Sequence, residues 1–228
     1  GVFKLTTIET AEIPQGVTSI GGLAFAYCES LTTVSIPESV THIGFNAFLD
    51  CHSIEYEIHN DNIKYLGNWV MGTTSKDITS ADLKSNTVGI YQEAFKDCQD
   101  LSAITLNDGL KIIGNKAFYS SGITQVEIPD SVMHIEKDAF NLCGNLTDIT
   151  IGSGIEEIED YAFHHCGHSV SDADVCVYIS AEFPPKIGEN TFKRSNKKLK
   201  IYVYYSIYSY KSAQYWSFLA DNIYEVPL

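Results

Sequence analysis

Apolar residues recur along this chain with a period of about 23 residues. An Ala-Phe step returns six times, and its phenylalanines are Phe25, Phe48, Phe95, Phe118, Phe140 and Phe163. The spacings between them are 23, 47, 23, 22 and 23 residues, so we interpret the gap of 47 as two units, with Val70-Met71 as a degenerate copy. A fixed period of this length is typical of a solenoid, in which each coil packs against its neighbours.

Each unit carries two short patterns that predict β-strands. In residues 31–36 apolar and polar positions alternate, and Thr, Val and Ile suit a half-buried pleated surface. A shorter apolar pattern, as in residues 40–43, predicts a second parallel strand on another face. The Ala-Phe step and the residues after it predict one helical turn, and residues 54–58, one residue short, predict a distorted coil. Turns with positive φ are expected at Gly21, Gly44, Gly67 and Gly114.

These patterns predict a repeat solenoid that is mostly β, a right-handed coil of short parallel strands with short helical turns. Residues 1–168 would form about seven coils of 22–24 residues, and residues 169–228 a degenerate repeat and a C-terminal capping segment. Within the cap, residues 208–219 predict a helix that closes the open end of the coil. Stacked coils place equivalent residues in columns. One column would hold the repeat phenylalanines with Met71, and another Ile20, Ile43, Leu66, Ile90, Ile113, Ile135 and Ile158.

The cysteines follow the same period. Five lie three residues after a repeat phenylalanine, at Cys28, Cys51, Cys98, Cys143 and Cys166, and Thr74 and Ser121 take this slot in the other two units. Equal spacing is compatible with a disulfide framework. However, stacked residues point the same way, whereas a disulfide needs Cβ vectors that face each other. We therefore interpret these residues as small buried thiols.

The net charge of −14 disfavours nucleic acid as a partner, because phosphate binding needs a basic surface. No apolar run approaches the roughly 18–20 residues that span a bilayer. The sequence begins at Gly1 without a signal peptide, which we interpret as a trimmed start that carries no information about export.

The unit C-x-x-L-x-x-V-x-I-P-x-x-V-x-x-I-G-x-x-A-F-x-x-C resembles the BspA-like leucine-rich repeat, a cysteine-bearing class of surface proteins from gut and oral anaerobic bacteria and some protists. The resemblance covers residues 8–166. The tail, with Phe183-Pro184-Pro185, Thr191-Phe192 and Trp216, resembles the closing segment of such proteins from Bacteroides-like bacteria. The resemblance implies a secreted or surface-anchored protein, extracellular or on the cell surface, that binds host matrix proteins or other cells. It carries over no catalytic residue and no particular ligand.

Strand residues that point away from the core form the candidate binding surface. One polar stripe reads Glu12, Ser35, Glu57, Asp82, Thr105, Glu127 and Thr150. Repeat proteins bind partners through such surfaces, and carboxylates attract basic partners. The other interpretation is a charged face that only keeps the sheet solvated.

The C-terminal segment offers an alternative, aromatic site. Tyr202 and Tyr204 share one face of a predicted strand, where exposed rings would stack on a glycan. The neighbouring basic residues, which would suit an anionic polymer, are Lys193, Arg194, Lys197, Lys198 and Lys200. The other interpretation is a cap core beside a solvated basic turn.

Metal and catalytic chemistry have little support in the sequence. Zinc ligands crowd only at residues 164–168 and Cys176, but Cys166 takes the buried slot of the repeat. The acidic run of residues 156–160, with Asp172 and Asp174, lacks the spacing of a calcium loop. Catalytic motifs are missing as well. We therefore predict no metal, no cofactor and no enzyme. The hypotheses that remain are a noncatalytic adhesion module that binds a protein, a carbohydrate-binding protein, and a structural spacer.

Overall fold

A computed structural model describes residues 2–171, 173–193 and 198–226. Its strands are β1 (Thr10–Glu12), β2 (Ser19–Ile20), β3 (Thr33–Ser35), β4 (His42–Ile43), β5 (Glu57–His59), β6 (Ile63–Leu66), β7 (Trp69–Thr73), β8 (Ser80–Asp82), β9 (Gly89–Ile90), β10 (Ala103–Thr105), β11 (Ile112–Ile113), β12 (Gln125–Ile128), β13 (His134–Ile135), β14 (Asp148–Ile151), β15 (Glu157–Ile158), β16 (Val175–Ile179), β17 (Lys186–Ile187), β18 (Leu199–Val203) and β19 (Ile223–Glu225). An α-helix, α1 (Ile207–Ser212), and a 3-10 helix (Trp216–Asn222) precede β19.

The strands form two stacks on different faces of the coil. In the first stack β1 pairs with β3, β8 with β10, and β12, β14, β16, β18 and β19 form a continuous five-stranded sheet, all parallel. In the second stack β2 pairs with β4, and β7, β9, β11, β13, β15 and β17 follow one another in parallel. This arrangement confirms the mostly β solenoid. The domain boundary at residue 168 stays a prediction.

Columns of identical side chains fill the core, as predicted. The rings of Phe95, Phe118 and Phe140 stack nearly parallel, with centroids 5.0 Å apart. Phe163 and Phe192 extend the column at 5.1 and 5.5 Å. A second column joins Ile90, Ile113, Ile135, Ile158 and Ile187 through the pairing of the second stack. Each coil therefore buries its apolar residues mainly against the same residues of its neighbours.

The predicted helical turn at the Ala-Phe step is wrong. This turn layer of the coil contains two left-handed residues per unit, one just before the Ala-Phe step and one two residues after it. They are Leu23, Tyr27, Asn46, Asp50, Glu93, Asp97, Lys116, Ser120, Asp138, Leu142, Tyr161 and His165. Left-handed residues cannot continue a right-handed helix, so the segment forms overlapping turns instead.

Amide groups in the turn layer alternate between two kinds of partner. In one coil the N–H groups of Glu93, Phe95 and Asp97 donate to carbonyls of the next coil at 2.7–2.9 Å. The N–H groups between them, from Ala94, Lys96 and Cys98, close turns within the coil at 3.1–3.3 Å. Each of these amides thereby has a hydrogen-bond partner in the backbone.

The glycines of the repeat serve close packing more than turn geometry. Of the four that were expected to have positive φ, only Gly67 does, with φ of 57°; for Gly21, Gly44 and Gly114 the prediction is wrong. A Cβ on Gly44 would lie 2.5 Å from the backbone nitrogen of Gly22, and one on Gly114 would lie 2.6 Å from the carbonyl oxygen of Ile90. At Gly44 and Gly114 adjacent coils approach too closely for a side chain.

The cysteine slot binds the carbonyl of the previous phenylalanine. The thiols of Cys28, Cys51 and Cys143 donate to the carbonyl oxygens of Phe3, Phe25 and Phe118, each at 3.0 Å. All six cysteines are free thiols, and burial raises the pKa of Cys143 to about 12. Ser121 occupies the same slot, 3.4 Å from the sulfur of Cys143. Thr74, the predicted occupant of another slot, is exposed, and Thr73 lies near Cys98 in its place.

The gap of 47 residues is not a regular coil. Strand β6 pairs antiparallel with both β5 and β7, so a three-stranded meander replaces the expected strands. Val70 pairs with Ile90 and belongs to the second column. The assignment of Val70-Met71 to the Ala-Phe step and of Leu66 to the isoleucine column is therefore wrong: Leu66 pairs with Trp69 across a turn.

Side chains replace backbone contacts at this irregular coil. The hydroxyl of Tyr91 accepts a hydrogen bond from Phe48 N–H at 3.4 Å. The Gln92 amide accepts from Asn46 N–H at 2.7 Å and donates to the Asn46 side chain at 2.6 Å. Trp69 is buried, and its indole N–H donates to the carbonyl of Val40 at 3.2 Å. These four contacts join the first two coils to the rest of the solenoid.

The predicted capping helix exists as two shorter helices. Tyr215, with φ of 64°, separates α1 from the 3-10 helix. Trp216 is fully buried beside Phe192, with ring centroids 6.0 Å apart, and donates to the carbonyl of Pro185 at 2.7 Å. Tyr210, also buried, donates to the carbonyl of Ala181 at 2.8 Å. The two aromatic side chains thus close the C-terminal end of the phenylalanine column.

Candidate binding face

The predicted stripe lies on the outer side of the first stack, but it is divided. Exposed residues on neighbouring strands pair as Glu12 with Ser35, Asp82 with Thr105, and Glu127 with Thr150. No ladder joins β3 to β8 or β10 to β12, whose residues are all described. The polar face is therefore three patches, of which the one that begins at β12 is the largest.

Glu57 does not join the stripe. It lies on β5, opposite Tyr65 in the antiparallel meander. Its carboxylate forms an ion pair with Lys84 at 2.6 Å, and the Lys84 ammonium also lies 4.4 Å from the ring centre of Tyr65. The sequence pattern predicted a distorted coil at residues 54–58 but gave no sign of an antiparallel meander, so Glu57 was placed in the stripe with the parallel strands.

The largest patch changes from polar to aromatic along its length. In the ladder, Thr150 pairs with Tyr178, Tyr178 with Tyr202, and Tyr202 with Tyr224. The Tyr178 and Tyr202 rings stack with centroids 4.9 Å apart, and those of Tyr202 and Tyr224 lie 5.7 Å apart. Tyr178 was not singled out from the sequence, although Val-Cys-Val-Tyr-Ile and Leu-Lys-Ile-Tyr-Val place both tyrosines at the same position of the strand.

The two tyrosines of the predicted aromatic site, Tyr202 and Tyr204, lie in different surroundings. Tyr202 is half-buried between its two neighbours in the ring stack, so both of its faces meet other rings. Tyr204 lies beyond the end of β18 and is exposed. A sugar ring stacks on an open aromatic face, and the arrangement of Tyr202 offers mainly a ring edge.

A missing residue causes the division between β10 and β12. The corner of one coil reads Cys98-Gln-Asp-Leu101, whereas the next reads Ser121-Gly-Ile123, one residue shorter. The shorter path brings Gly122 so close that a Cβ there would lie 1.9 Å from the carbonyl oxygen of Gln99. Just before the strands, the hydrogen bond from Thr124 N–H to the carbonyl of Ser102 is long, at 3.4 Å. The equivalent bond one coil later, from Thr147 N–H to the carbonyl of Thr124, is 3.0 Å.

This division opens a groove in the sheet. The inward-facing residues of β8 and β12 are buried, but Ile104 of β10 and Leu106 just beyond it are only half-buried. A groove of about 500 Å³ lies over them between Thr105 and Glu127. It continues into a second hollow of about 670 Å³ that shares Leu106 and Glu127 and reaches Asp108 and Asp130. Apolar floor and acidic edge thus occur together at this point of the face.

The acidic groups of the groove are available to a partner. Among the described residues, Glu127, Asp108 and Asp130 form no ion pair within 4.0 Å. The backbone N–H of Ser153 donates to Asp130 at 2.6 Å and lowers the pKa of that carboxyl. Asp130 therefore stays ionised over the physiological range of pH.

The residues considered for metal binding do not form a cluster of ligands. Across the described ranges no three His, Cys, Asp or Glu side chains converge as they would on an ion. Cys166 is buried, and its thiol donates to the carbonyl of Phe140 at 3.4 Å. Asp174 forms an ion pair with Lys200. Asp172 lies outside the described residues, as do Arg194 and Lys197 of the predicted basic turn.

Comparisons with solved structures find similar bacterial leucine-rich repeat proteins, and the first of these shares the fold of this chain. A leucine rich cell surface protein from Faecalibacterium prausnitzii is 22% identical, with a TM-score of 0.52, over 85% of this chain and 60% of its own. A leucine-rich repeat protein from Bacteroides ovatus is 18% identical, with a TM-score of 0.45, over 97% of this chain and 61% of its own. One from T. pallidum is 24% identical, with a TM-score of 0.42, over 85% of this chain and 80% of its own.

The chain spans 60% and 61% of the length of the first two of these proteins. No functionally curated protein matches it. In the part of the chain that the structure describes, no helix is long and apolar enough to cross a bilayer. A family model for the BspA type leucine rich repeat region matches in six copies, over residues 1–76 and 73–200. The repeat, the free-thiol column and this match over most of the sequence agree: the chain belongs to the BspA-type leucine-rich repeat family.

Proposed function

We propose that this protein is a noncatalytic recognition module of the cell surface or the extracellular space, and that it binds a protein through the first strand stack. The observation that carries the proposal is the exposed face of that stack, where exposed polar residues alternate with buried apolar residues along β3, β8, β12 and β14. Such a face stays rigid because every second residue is anchored inside. A rigid polar surface can bind a partner without a large entropic cost of ordering.

Charge supports a partner with a basic surface. The chain carries −14, and the stripe contributes Glu12, Asp82 and Glu127 as exposed carboxylates. Complementary charge raises the rate of association and disfavours acidic partners. The location at the surface accords with the cell surface protein from F. prausnitzii that shares the fold.

A binding panel with charge-reversed variants tests the proposal. The wild type would be screened by biolayer interferometry against purified host extracellular matrix proteins. Asp82→Lys/Glu127→Lys changes the proposed face, and Glu38→Lys/Glu156→Lys changes two exposed residues elsewhere by the same total charge. Loss of binding in the first variant alone supports the proposal. Equal loss in both would indicate an effect of net charge only, and no binding to the panel would favour the structural spacer.

Carbohydrate binding is the weaker candidate, because the Tyr178, Tyr202 and Tyr224 rings contact one another. A glycan array with Tyr202→Ala and Tyr204→Ala separates the two functions. If the protein binds a glycan and only these variants lose that binding, carbohydrate binding would be the better account than protein binding.

A further inference from the structure

The groove between β10 and β12 combines a half-buried apolar floor with acidic side chains. Ile104 and Leu106 occupy inward positions whose counterparts on β12, Val126 and Ile128, are both 2% exposed, yet they remain accessible. The cause is local, since the corner at residues 121–123 is one residue shorter than its neighbours. The opening therefore follows from the backbone path at this corner.

Acidic groups surround this apolar floor. Glu127 lines both hollows, and Asp108 and Asp130 line the far one. None of the three is paired with a basic side chain within the described ranges. An apolar floor with unpaired carboxylates at its edge suits a side chain that is aliphatic along its length and cationic at its tip.

We infer that this groove binds an arginine or lysine side chain presented by an extended segment of a partner protein. The methylene groups lie over Ile104 and Leu106, and the charged end meets Glu127, with Asp108 and Asp130 beyond it. Arginine is the better occupant, because its planar guanidinium can donate two parallel hydrogen bonds to one carboxylate. The inference rests on the proposed protein-binding function and identifies where on the face the contact is made.

Peptide titrations followed by NMR test the inference directly. The full chain, labelled with ¹⁵N, would be titrated with the peptide acetyl-Thr-Val-Arg-Val-Thr-amide and with the same peptide carrying neutral citrulline in place of arginine. We expect shifts of the amide signals of residues 103–108, 125–128 and 130 with the arginine peptide. In Asp108→Asn/Glu127→Gln the affinity should fall roughly fivefold or more, as for the loss of exposed ion pairs. Glu38→Gln/Glu156→Gln, with the same change of charge elsewhere, should bind normally.

Three outcomes would overturn the inference: no shifts, equal shifts with the citrulline peptide, or equal affinity in the groove variant. Failure of the groove inference can be distinguished from failure of the proposed protein-binding function, because the same groove variant would also be measured against the matrix proteins. If the variant keeps its matrix-protein binding while Asp82→Lys/Glu127→Lys loses it, the face is used and the groove is not. The groove substitutions are on exposed or edge positions, so the variant should fold, and its amide spectrum reports this.

Discussion

The two coils before the meander and the coils after it share one sequence repeat, but their apolar side chains pack into two different core clusters. Most buried apolar side chains of the first region belong to one core cluster, which contains Phe25 and Phe48 and ends at Trp69, Tyr91 and Ile112. The later coils share a larger cluster that runs unbroken from Phe95 to Trp216. In the later coils backbone amides join each unit to the next, whereas at the junction the side chains of Tyr91, Gln92 and Trp69 do so.

The comparison teaches that a solenoid can accommodate an irregular coil when specific side chains satisfy the amides left behind. Such a junction is less redundant than a column. Stability in a repeat protein is approximately a sum of unit and interface terms. We therefore expect the first two coils to open more easily than the later ones, and the following changes test or sharpen this difference.

The largest effect is expected from Phe118→Ala, in the middle of the long column. Its ring is fully buried and stacks on two others at 5.0 Å, so truncation leaves a cavity and should cost about 3–5 kcal/mol. Urea unfolding measures the loss. Phe25→Ala, the matched change in the first region, should lower hydrogen-exchange protection there and leave residues 95–192 protected. Loss of protection along the whole chain in both variants would show that the two regions unfold as one.

A pH-dependent effect is expected from Glu136 in the long region. Burial raises the pKa of Glu136 to about 7, Glu159 adds to the rise, and the hydrogen bond from Asn115 N–H opposes it. The folded state therefore holds the proton more tightly than the unfolded chain, whose carboxyl has its ordinary pKa near 4.5. Stability from this group is present below about pH 4.5 and is lost as the pH rises through 7.

Glu136→Gln removes this titration and keeps an oxygen that can accept from Asn115. We expect the variant to gain on the order of 3 kcal/mol over the wild type at pH 8 relative to pH 4.5. Thermal unfolding at the two pH values measures the difference. Glu38→Gln is exposed and serves as the control; a wild type and Glu136→Gln with parallel pH profiles would contradict the assignment.

The junction itself is probed by Tyr91→Phe. This change removes the hydroxyl that accepts from Phe48 N–H and should cost about 1–3 kcal/mol, because the buried amide loses its partner. Hydrogen exchange should accelerate in residues 2–53 and remain unchanged beyond residue 95. Tyr119→Phe, on a tyrosine of the later coils, is the control. Uniform acceleration through both regions would mean that the junction is not a boundary.

The smallest effect is expected in the cysteine column. Cys143→Ala removes the thiol that donates to the Phe118 carbonyl and should cost about 1 kcal/mol. Cys143→Ser should cost less, since Ser121 already occupies an equivalent buried slot. Chemical denaturation distinguishes the two. A serine variant less stable than the alanine variant would show that burying the hydroxyl costs more than its hydrogen bond to the Phe118 carbonyl contributes.

The regular coils could be predicted from the sequence because each one repeats the packing of its neighbours. The phenylalanine and isoleucine columns follow from spacing alone. The meander could not, because 47 residues fit two units as well as one irregular coil. Its signals were local: the short phrase at residues 54–58, the Leu66-Gly67-Asn68-Trp69 turn, and Tyr91 at the position that is Gly44 and Gly114 in two other coils.

The candidate site was predictable only in part. Glu127 and Thr150 were placed correctly on the exposed face, since alternation along a strand fixes the side on which a residue lies. The groove was not predicted, because it depends on how one missing residue changes the path between stacked coils. Side-chain spacing within a strand contains no information about whether that strand pairs with the next.

The alternating amides of the turn layer determine which changes of length this chain can absorb. Excising a whole repeat keeps the two kinds of amide donor alternating in phase from coil to coil, so the coils on either side can rejoin as neighbours. Excising one residue inside the layer exchanges the two kinds of donor, so that amides that bonded to the adjacent coil now point into their own coil. The shortened corner at residues 121–123 lies just outside the layer, and there the loss interrupts one pairing and leaves the fold whole. Proteins of this kind should therefore change length mainly by gaining or losing whole repeats. Deletion of single residues inside a turn layer should be tolerated far less often.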